Sequence, residues 1–395
     1  MKKFFKYASL LFAAAMLATA CDGTGVEPDD NGGDDTGNNG NTETPVTPPE
    51  DKVEGTLTIE VDKQIIQSDG KDAAVLSVLL DGEAVTSDVV FHDANAKDAV
   101  VQIPDFKFTT TAPGDFVIWA EYKGLVTEGE VKIKAVDCEV PETPADPDPE
   151  NLSFVRKVLL LQFTGQECGN CPLMKAGLKK AFTDYPEFND YVVKVDAHNY
   201  SSQDPAYLAG FYQPADGWPT VIVDWKYTFG AYRQVSQTAN EASSVIRSAY
   251  GKGNTKAGIA LKANHSDGVV VVKAVVKAAE DGQYRVGAFL TEDGIQGQQA
   301  DLYNIAEDWM NMYDDNIRIA DCKVSTRNYT GHSLGTIKAG KTGEYVFVMN
   351  LKDAWKVENM ELVVFVTARD EDGMDTVTNV VRLDGIEGEL PYDYK

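Results

Sequence analysis

Basic residues are scarce in this sequence of 395 residues. It has 36 lysines and arginines against 62 aspartates and glutamates, which gives a formal net charge of −26 at pH 7. Phosphate backbones and anionic lipid surfaces repel a chain with this charge. The composition therefore argues against nucleic acid as a partner and against electrostatic adsorption to a membrane, and the acidity indicates solubility rather than a substrate.

Histidine is also rare. The chain has 4 histidines, and no two of them have the i, i+4 spacing of a helical metal site. They are His92, His198, His265 and His332. We therefore predict no metal site and no cofactor.

Cysteine is limited to 5 residues, and the first, Cys21, ends an export leader. The leader has lysines at its start and an apolar core, residues 8–17, that is too short to cross a membrane as a mature helix. We predict that residues 1–20 are a signal peptide. The small residues before Cys21 resemble a bacterial lipoprotein signal, which implies lipidation of Cys21. Ala18 and Ala20 also suit ordinary signal peptidase, so simple secretion remains an alternative.

Two polar stretches divide the rest of the chain. Residues 21–52 contain almost no apolar side chain, so they are predicted to form a disordered acidic tether. The proline-rich, acidic residues 138–152 predict an extended linker. Folded domains are therefore expected at residues 53–137 and from residue 153 onward. The second part is divided into domains at residues 153–253 and 254–395, because the pattern changes from helix and strand to strands alone near residue 255.

The first of these domains has the pattern of short β-strands. Apolar residues alternate with polar ones at Leu57, Ile59 and Val61, and Asp81-Gly82 predicts a tight turn. This patterning is similar to an immunoglobulin-like β-sandwich. Such a module acts as a spacer or as a surface for ligands and adhesion, and this expectation is based on fold analogy alone.

The segment FTGQECGNCP, residues 163–172, contains the chemistry-bearing motif. It follows a short apolar run and precedes a pattern of helical period, which predicts strand, turn and helix. A helix N-terminus favours a thiolate, so Cys168 is the candidate attacking sulfur and Cys171 the resolving one. Pro219 opens a second apolar run after Trp218 and is a candidate for a cis peptide bond.

A Cys-x-x-Cys at a strand-helix junction, with a distant proline before a strand, resembles a thioredoxin-like domain. In that fold the cis-proline loop packs beside the two sulfurs. The FTGQECGNCP segment, the immunoglobulin-like segment before it, the lipoprotein leader and the β-rich C-terminal third resemble the Omp twenty-eight-related outer-membrane proteins of Gram-negative bacteria. The resemblance implies a multidomain fold, with an α/β thioredoxin-like domain flanked by an N-terminal immunoglobulin-like β-sandwich and a C-terminal β-sandwich.

Other patterns predict the remaining elements. A helix is expected near residues 204–211, and a closing helix is expected with Ser236 as its cap. The C-terminal domain is expected to be a β-sandwich with one helical interruption, from Leu302 to Met312. Trp309 in that interruption and Trp218 are candidates to line a binding cleft.

Two residues weaken a redox role for the motif. The best-known redox thioredoxins would have an aromatic residue directly before the first cysteine and a buried acid six positions before it. This chain has Glu167 and Gln162, and neither favours a thiolate or accepts a proton from the second sulfur. The pair Cys168 and Cys171 is therefore either a structural, rarely turned-over disulfide or an exchange-active pair, and bulky Trp218 is expected to restrict access to it.

The two remaining cysteines leave a second question open. Cys138 and Cys322 lie far apart in the sequence, and they either bridge the linker to the C-terminal domain or remain separate buried thiols.

Three functions follow as hypotheses. The first is a lipid-anchored outer-membrane protein, periplasmic or surface-exposed, with a binding or structural thioredoxin-like scaffold and a protein or glycan of the envelope or outside as partner. The second is a membrane-tethered thiol-disulfide oxidoreductase that uses Cys168, Cys171 and Pro219. The third is a surface adhesin or glycan-binding protein.

Overall fold

The computed structural model of the protein describes residues 53–266, 268–325 and 328–395. The predicted signal peptide, Cys21 and the predicted tether lie outside these residues. Within the described ranges, no helix is both long enough and apolar enough to cross a membrane.

The N-terminal part of the described chain is built from short strands. They are β1 (Leu57–Val61), β2 (Ile65–Gln67), β3 (Ala74–Leu80), β4 (Glu83–Val85), β5 (Val89–Asp93), β6 (Ala99–Val101), β7 (Lys107–Phe108), β8 (Gly114–Tyr122), β9 (Leu125–Val126) and β10 (Val131–Val136). Short 3-10 turns occur at Ala94–Ala96 and Pro104–Phe106.

These strands form two sheets that enclose one apolar core. One sheet has the order β1-β3-β4 with β7 beside β3, and the other has the order β2-β10-β8-β5-β6 with β9 beside β8. The period-two pattern sends Leu57, Leu76 and Ile118 into this core. Asp81 and Gly82 both have positive φ, which is the backbone that a tight two-residue hairpin between β3 and β4 requires.

The central part alternates strands and helices. Its elements are β11 (Val158–Thr164), α1 (Cys171–Asp184), α2 (Phe188–Tyr191), β12 (Val192–His198), β13 (Thr220–Val223), β14 (Tyr227–Gly230) and α3 (Val235–Tyr250). Strands β11 and β12 are parallel, whereas β13 pairs with β11 antiparallel. Helices α1 and α3 cover one face of this sheet, where Val158, Leu160 and Met174 share a core with Ala242 and Ile246.

The C-terminal part returns to strands. They are β15 (Ala257–Ser266), β16 (Val269–Ala278), β17 (Gly282–Glu292), β18 (Ile295–Gln296), β19 (Met312–Tyr313), β20 (Asn316–Asp321), β21 (His332–Ile337), β22 (Thr342–Asn350), β23 (Met360–Arg369), β24 (Asp375–Leu383) and β25 (Gly388–Leu390). Short 3-10 turns occur at Asp308–Asn311 and Val357–Asn359.

One continuous sheet joins the central and C-terminal parts. Its order is β14-β13-β11-β12-β20-β17-β23-β24, with β21 beside β17. The junction is a parallel contact between β12 and β20, at the pair Asp196 and Asn316. A second sheet, β22-β16-β15-β25, faces the C-terminal end of the first across a large apolar core. Strands from both sides of the predicted boundary at residues 253 and 254 therefore share one hydrogen-bonded sheet.

The predicted helix near residues 204–211 is wrong. These residues form turns, because their polar groups are bonded elsewhere. The Asp204 carboxylate accepts the N–H of Ala206 at 2.9 Å, and Leu208 donates its N–H to the His198 carbonyl at 2.8 Å. Pro205 has no N–H to give to a helix.

The predicted helix from Leu302 to Met312 is also wrong over most of its length. Only Asp308–Asn311 is helical, as a 3-10 turn. The Asp301 carboxylate accepts the N–H groups of Tyr303 and Ala306, at 2.9 and 2.6 Å, and so competes with helical pairing. The predicted cap of the closing helix, Ser236, is two residues too late, since α3 begins at Val235 and its cap is Gln234.

Candidate functional site

The Cys-x-x-Cys lies where strand β11 ends and helix α1 begins. Cys171 is the first residue of α1, and Cys168 lies in the preceding turn, where its N–H donates to the Gly165 carbonyl at 3.1 Å. The two sulfurs form a disulfide with a Cα–Cα distance of 5.4 Å. The predicted strand, turn and helix around this pair are confirmed.

Pro219 opens strand β13 at the same end of the sheet. The Trp218–Pro219 peptide bond is cis, as the sequence predicts. The register pairs Thr220 with Phe163, so Pro219 lies beside the carboxyl end of β11, from which the cysteine turn leaves. Pro219 is buried.

A distant segment covers the cysteine turn. We call residues 298–302 the cover segment. The Gln299 amide donates to the carbonyl oxygens of Gly165 at 3.2 Å and of Cys168 at 3.1 Å, and the Leu302 N–H donates to the Gly169 carbonyl at 3.0 Å.

The cover segment leaves the sulfurs little contact with solvent. A Cβ atom on Gly169 would lie 2.5 Å from the Leu302 side chain, so this side chain packs on the Gly169 backbone at a distance that only glycine permits. Cys168 is 3% exposed and Cys171 is 0% exposed. The disulfide is therefore almost completely shielded from solvent.

A layer of polar side chains lies between the sheet and α1. Residues of β11 and β12 that alternate with the apolar ones of the opposite face point toward this helix. We call this set the polar layer, and it consists of Gln162 and Thr164 on β11, Asp196 and His198 on β12, and Lys175 on α1. All of them are buried, so the helix-facing side of the sheet is polar below the cysteine turn and apolar further away.

One buried pair of the polar layer ties strand β12 to the cysteine turn. His198 Nδ1 lies 2.8 Å from the Asp204 carboxylate, which also accepts the N–H of Gln166 at 2.6 Å. Burial lowers the pKa of His198, so the imidazole is neutral and donates from Nδ1. Burial opposes ionisation of Asp204, but the hydrogen bond from His198 holds the pKa of that carboxyl below its usual value.

Lys175 is the exceptional member of the polar layer. It is 7% exposed, and its ammonium contacts the Met310 carbonyl at 3.5 Å and lies 4.3 Å from the centre of the Tyr313 ring. Burial lowers the pKa of Lys175 to about 8, against the weaker opposing effect of Asp196. The position of Lys175 one turn after Cys171 is visible in the sequence, but its burial depends on β19 packing over it.

A cavity of about 370 Å³ lies beside the polar layer. Its inner wall includes Gln162, Lys175 and Asp196, and its outer wall includes Trp309 and Met312. Trp309 therefore lines a cleft, as the sequence suggests. No signal in the sequence predicts that its neighbours Lys175 and Gln162 lie in the same cavity.

Comparison with known proteins supports the family resemblance. Residues 210–384 match the model of the family described as outer membrane protein Omp28. The predicted resemblance is confirmed for these residues. Among solved structures, HBP35 of Porphyromonas gingivalis is similar at 18% identity and a TM-score of 0.46, over 59% of this chain and 76% of that chain. No curated protein matches the sequence.

Trp218 contacts the loop that follows β12. Trp218 donates its indole N–H to Asn199 at 2.8 Å and meets the Tyr200 ring edge-on, so its polar contact is with the loop after β12. The cover segment, rather than Trp218, hydrogen-bonds the cysteine turn.

The two remaining cysteines occupy different apolar clusters. Cys138 packs with Val136 and Val271, whereas Cys322 packs in the core that contains Phe289 and Phe365. Within the described residues, the disulfide is Cys168–Cys171, and the structure does not join Cys138 to Cys322. Burial raises the pKa of the Cys322 thiol, which makes it unreactive. The described residues also contain no group of three or more His, Cys, Asp or Glu that could hold a metal ion.

Proposed function

We propose that this protein is an outer-membrane lipoprotein whose thioredoxin-like domain is a binding or structural scaffold rather than a strongly catalytic one. The description of the matching family as an outer membrane protein supports the location. The leader that ends in Cys21 supports a lipid anchor there.

We propose the following organisation of the chain. Residues 1–20 are the signal peptide, 21–52 the tether, 53–137 an immunoglobulin-like sandwich and 138–152 a linker. Residues 153–253 are the thioredoxin-like domain and 254–395 the C-terminal β-sandwich. The parallel pair β11 and β12, the antiparallel β13 and the cis bond before Pro219 support the thioredoxin-like assignment.

The observation that carries the scaffold proposal is the burial of both sulfurs. A thiol-disulfide exchange needs in-line access of an attacking thiolate to one sulfur. Cys168 and Cys171 are almost fully buried, and the Gln299 amide donates a hydrogen bond to the backbone carbonyl of Cys168. In addition, Gln162 occupies the position of the acid that would accept a proton from the second sulfur, so a group that efficient exchange needs is missing.

An oxidoreductase is the second candidate, and a specific observation favours it. The disulfide is formed at a helix start, and the cis proline opens the strand beside it, which is the arrangement such enzymes use. This candidate requires the cover segment to open before the sulfurs can react.

A thiol-capture experiment separates the two candidates. In Cys171→Ser, the single Cys168 thiolate can attack a substrate disulfide, release one of its two thiols and retain the other half as a mixed disulfide. The scaffold proposal predicts no more captured protein or small thiol than in the double variant Cys168→Ser/Cys171→Ser. It also predicts a reduction potential below about −300 mV for the native pair. Capture by Cys168 above the double-variant background would establish the oxidoreductase.

Mass spectrometry of the mature N-terminus tests the anchor. A mature chain that begins at an acylated Cys21 supports the lipoprotein proposal. An unmodified Cys21 contradicts it and leaves simple secretion.

A further inference from the structure

The cavity beside α1 has an exposed rim and a buried floor. Its rim includes Lys179, Asn189 and Met312, which are exposed, so the cavity is open to solvent on that side. Its floor includes Gln162 and Tyr313, which are 1% and 2% exposed. The volume of about 370 Å³ lies in the range of about 300–1,000 Å³ that is usual for small-molecule sites.

The walls between rim and floor are largely apolar. Leu178 and Phe182 come from α1, Val192 from β12, and Trp309 from the 3-10 turn. Such walls favour a ligand with an apolar body, because removing apolar surface from water stabilises the complex.

Most charges that line the cavity already have partners. Lys194 pairs with Asp196 at 3.0 Å and with Asp315 at 3.1 Å. Arg382 pairs with Asp315 at 2.8 Å and with Glu361 at 3.2 Å. These groups neutralise one another, so they give a ligand little net attraction.

Lys175 is different. None of the described carboxylates lies within 4.0 Å of its ammonium, whose contacts are one long hydrogen bond and the face of Tyr313. An ammonium has three donors, and a buried charge without a paired anion is costly. Lys175 thus presents an unpaired positive charge at the floor of the cavity.

Gln162 supplies a second, independent observation. It lies next to Asp196 in the parallel register and lines the same cavity. Neither its amide nitrogen nor its amide oxygen has a hydrogen-bond partner in the described part of the chain. A buried amide without a partner is destabilising, so a ligand that forms a hydrogen bond with Gln162 stabilises the site.

We propose that this cavity binds a small monocarboxylate with an apolar body. The carboxylate reaches the floor and accepts hydrogen bonds from the Lys175 ammonium and the Gln162 amide. The apolar body lies against Leu178, Phe182 and Trp309. The inference goes beyond the proposed function, and it does not depend on the chemistry of the disulfide or on the location of the protein.

Asp196, the acid next to Gln162 in the register, does not prevent this placement. Asp196 on the floor is paired with Lys194, and burial raises the pKa of Asp196, which weakens its repulsion of an incoming anion. A charge-assisted hydrogen bond to a buried ammonium contributes about 1.5–3 kcal/mol. That corresponds to roughly a 10-fold to 100-fold contribution to the affinity.

The test compares two ligands of equal length in isothermal titration calorimetry. Sodium decanoate carries the carboxylate, and decanol carries the same apolar body without charge. The proposal predicts saturable 1:1 binding of decanoate, with decanol bound roughly tenfold more weakly or worse. Lys175→Met lowers decanoate affinity roughly tenfold or more and leaves decanol affinity within about twofold.

Two further variants complete the design. Gln162→Leu removes the second donor and weakens decanoate binding without altering the charge of the site. Lys180→Met, an exposed lysine on the same helix that does not line the cavity, leaves binding of both ligands unchanged. Circular dichroism of each variant checks that the fold is kept.

Three outcomes overturn the proposal. They are no saturable decanoate binding by the native protein, equal affinity of the native protein for decanol and decanoate, and unchanged decanoate affinity in Lys175→Met. The second of these shows an apolar cavity without an anion site. None of them bears on the thiol-capture result, so failure here is distinct from failure of the scaffold proposal.

Discussion

Replacing Lys175 by methionine removes the buried ammonium and keeps an unbranched side chain of similar length. Burial lowers the pKa of Lys175 from 10.5 to about 8 in the folded chain. Each pKa unit corresponds to 1.36 kcal/mol, so the charged form costs the native protein about 3 kcal/mol at pH 7. The cation–π contact with the Tyr313 ring offsets roughly 1–2 kcal/mol of this cost by stabilising the charged form. The variant should therefore be more stable than the native protein by about 1–2 kcal/mol at pH 7.

The dependence of this difference on pH is the sharper part of the prediction. Between pH 8 and 10.5 the unfolded chain holds a proton on Lys175 that the folded chain has released, so the cost of the buried charge is lost as the pH rises. The advantage of the variant should therefore largely disappear between pH 7 and pH 10. The charged groups that face Lys175 are Asp196, Lys194, Asp204 and Asp314, and both proteins retain them.

Urea denaturation of both proteins at pH 7 and pH 10, without added ligand, measures the effect. Lys180→Met is the matched control, since this lysine is exposed on the same helix, and it should stay within about 0.5 kcal/mol of the native protein at both pH values. A stability difference for Lys175→Met that stays constant from pH 7 to pH 10 would refute the reasoning.

Two other predictions concern the cover segment and a buried ion pair. Gln299→Ala removes the hydrogen bonds to the cysteine turn, so dithiothreitol should reduce the disulfide roughly tenfold faster. Gln298→Ala, which keeps its backbone hydrogen bond to Gln166, should not change the rate, and equal rates for both variants would contradict the sealing role. Arg156→Met leaves the buried carboxylate of Asp224 without its partner and should lower the free energy of unfolding in urea by about 3 kcal/mol or more. The exposed Arg233→Met should cost under about 0.5 kcal/mol, and a loss below about 1 kcal/mol for Arg156→Met would contradict the prediction.

Periodicity located most of the strands, and the reason is local. Alternation along Leu57–Val61 and the apolar run of Val158–Thr164 report which side chains face a core, and that is a property of neighbouring residues. The same rule failed at residues 204–211 and 302–312. There the carboxylates of Asp204 and Asp301 take up backbone N–H groups, and a pattern of apolar residues carries no information on such side-chain bonds.

The candidate site shows the same division. The junction of Cys168 and Cys171 and the cis bond before Pro219 could be predicted, because turn and proline chemistry are encoded within a few residues. The packing of the cover segment over the cysteine turn could not be predicted. Gln299 is 131 residues from Cys168 in the sequence, and no spacing rule links the two.

The sequence by itself determined where most of the strands lie, where the sulfurs lie and which family the chain resembles. These properties depend on composition and on side chains within about one helical turn of each other. Only the tertiary structure decided that the disulfide is sealed, that strands from two predicted domains share a sheet, and that Lys175 is buried without a paired acid. Each of these depends on which distant segment closes over a side chain, because burial rather than residue type sets the accessibility of a sulfur and the pKa of an amine.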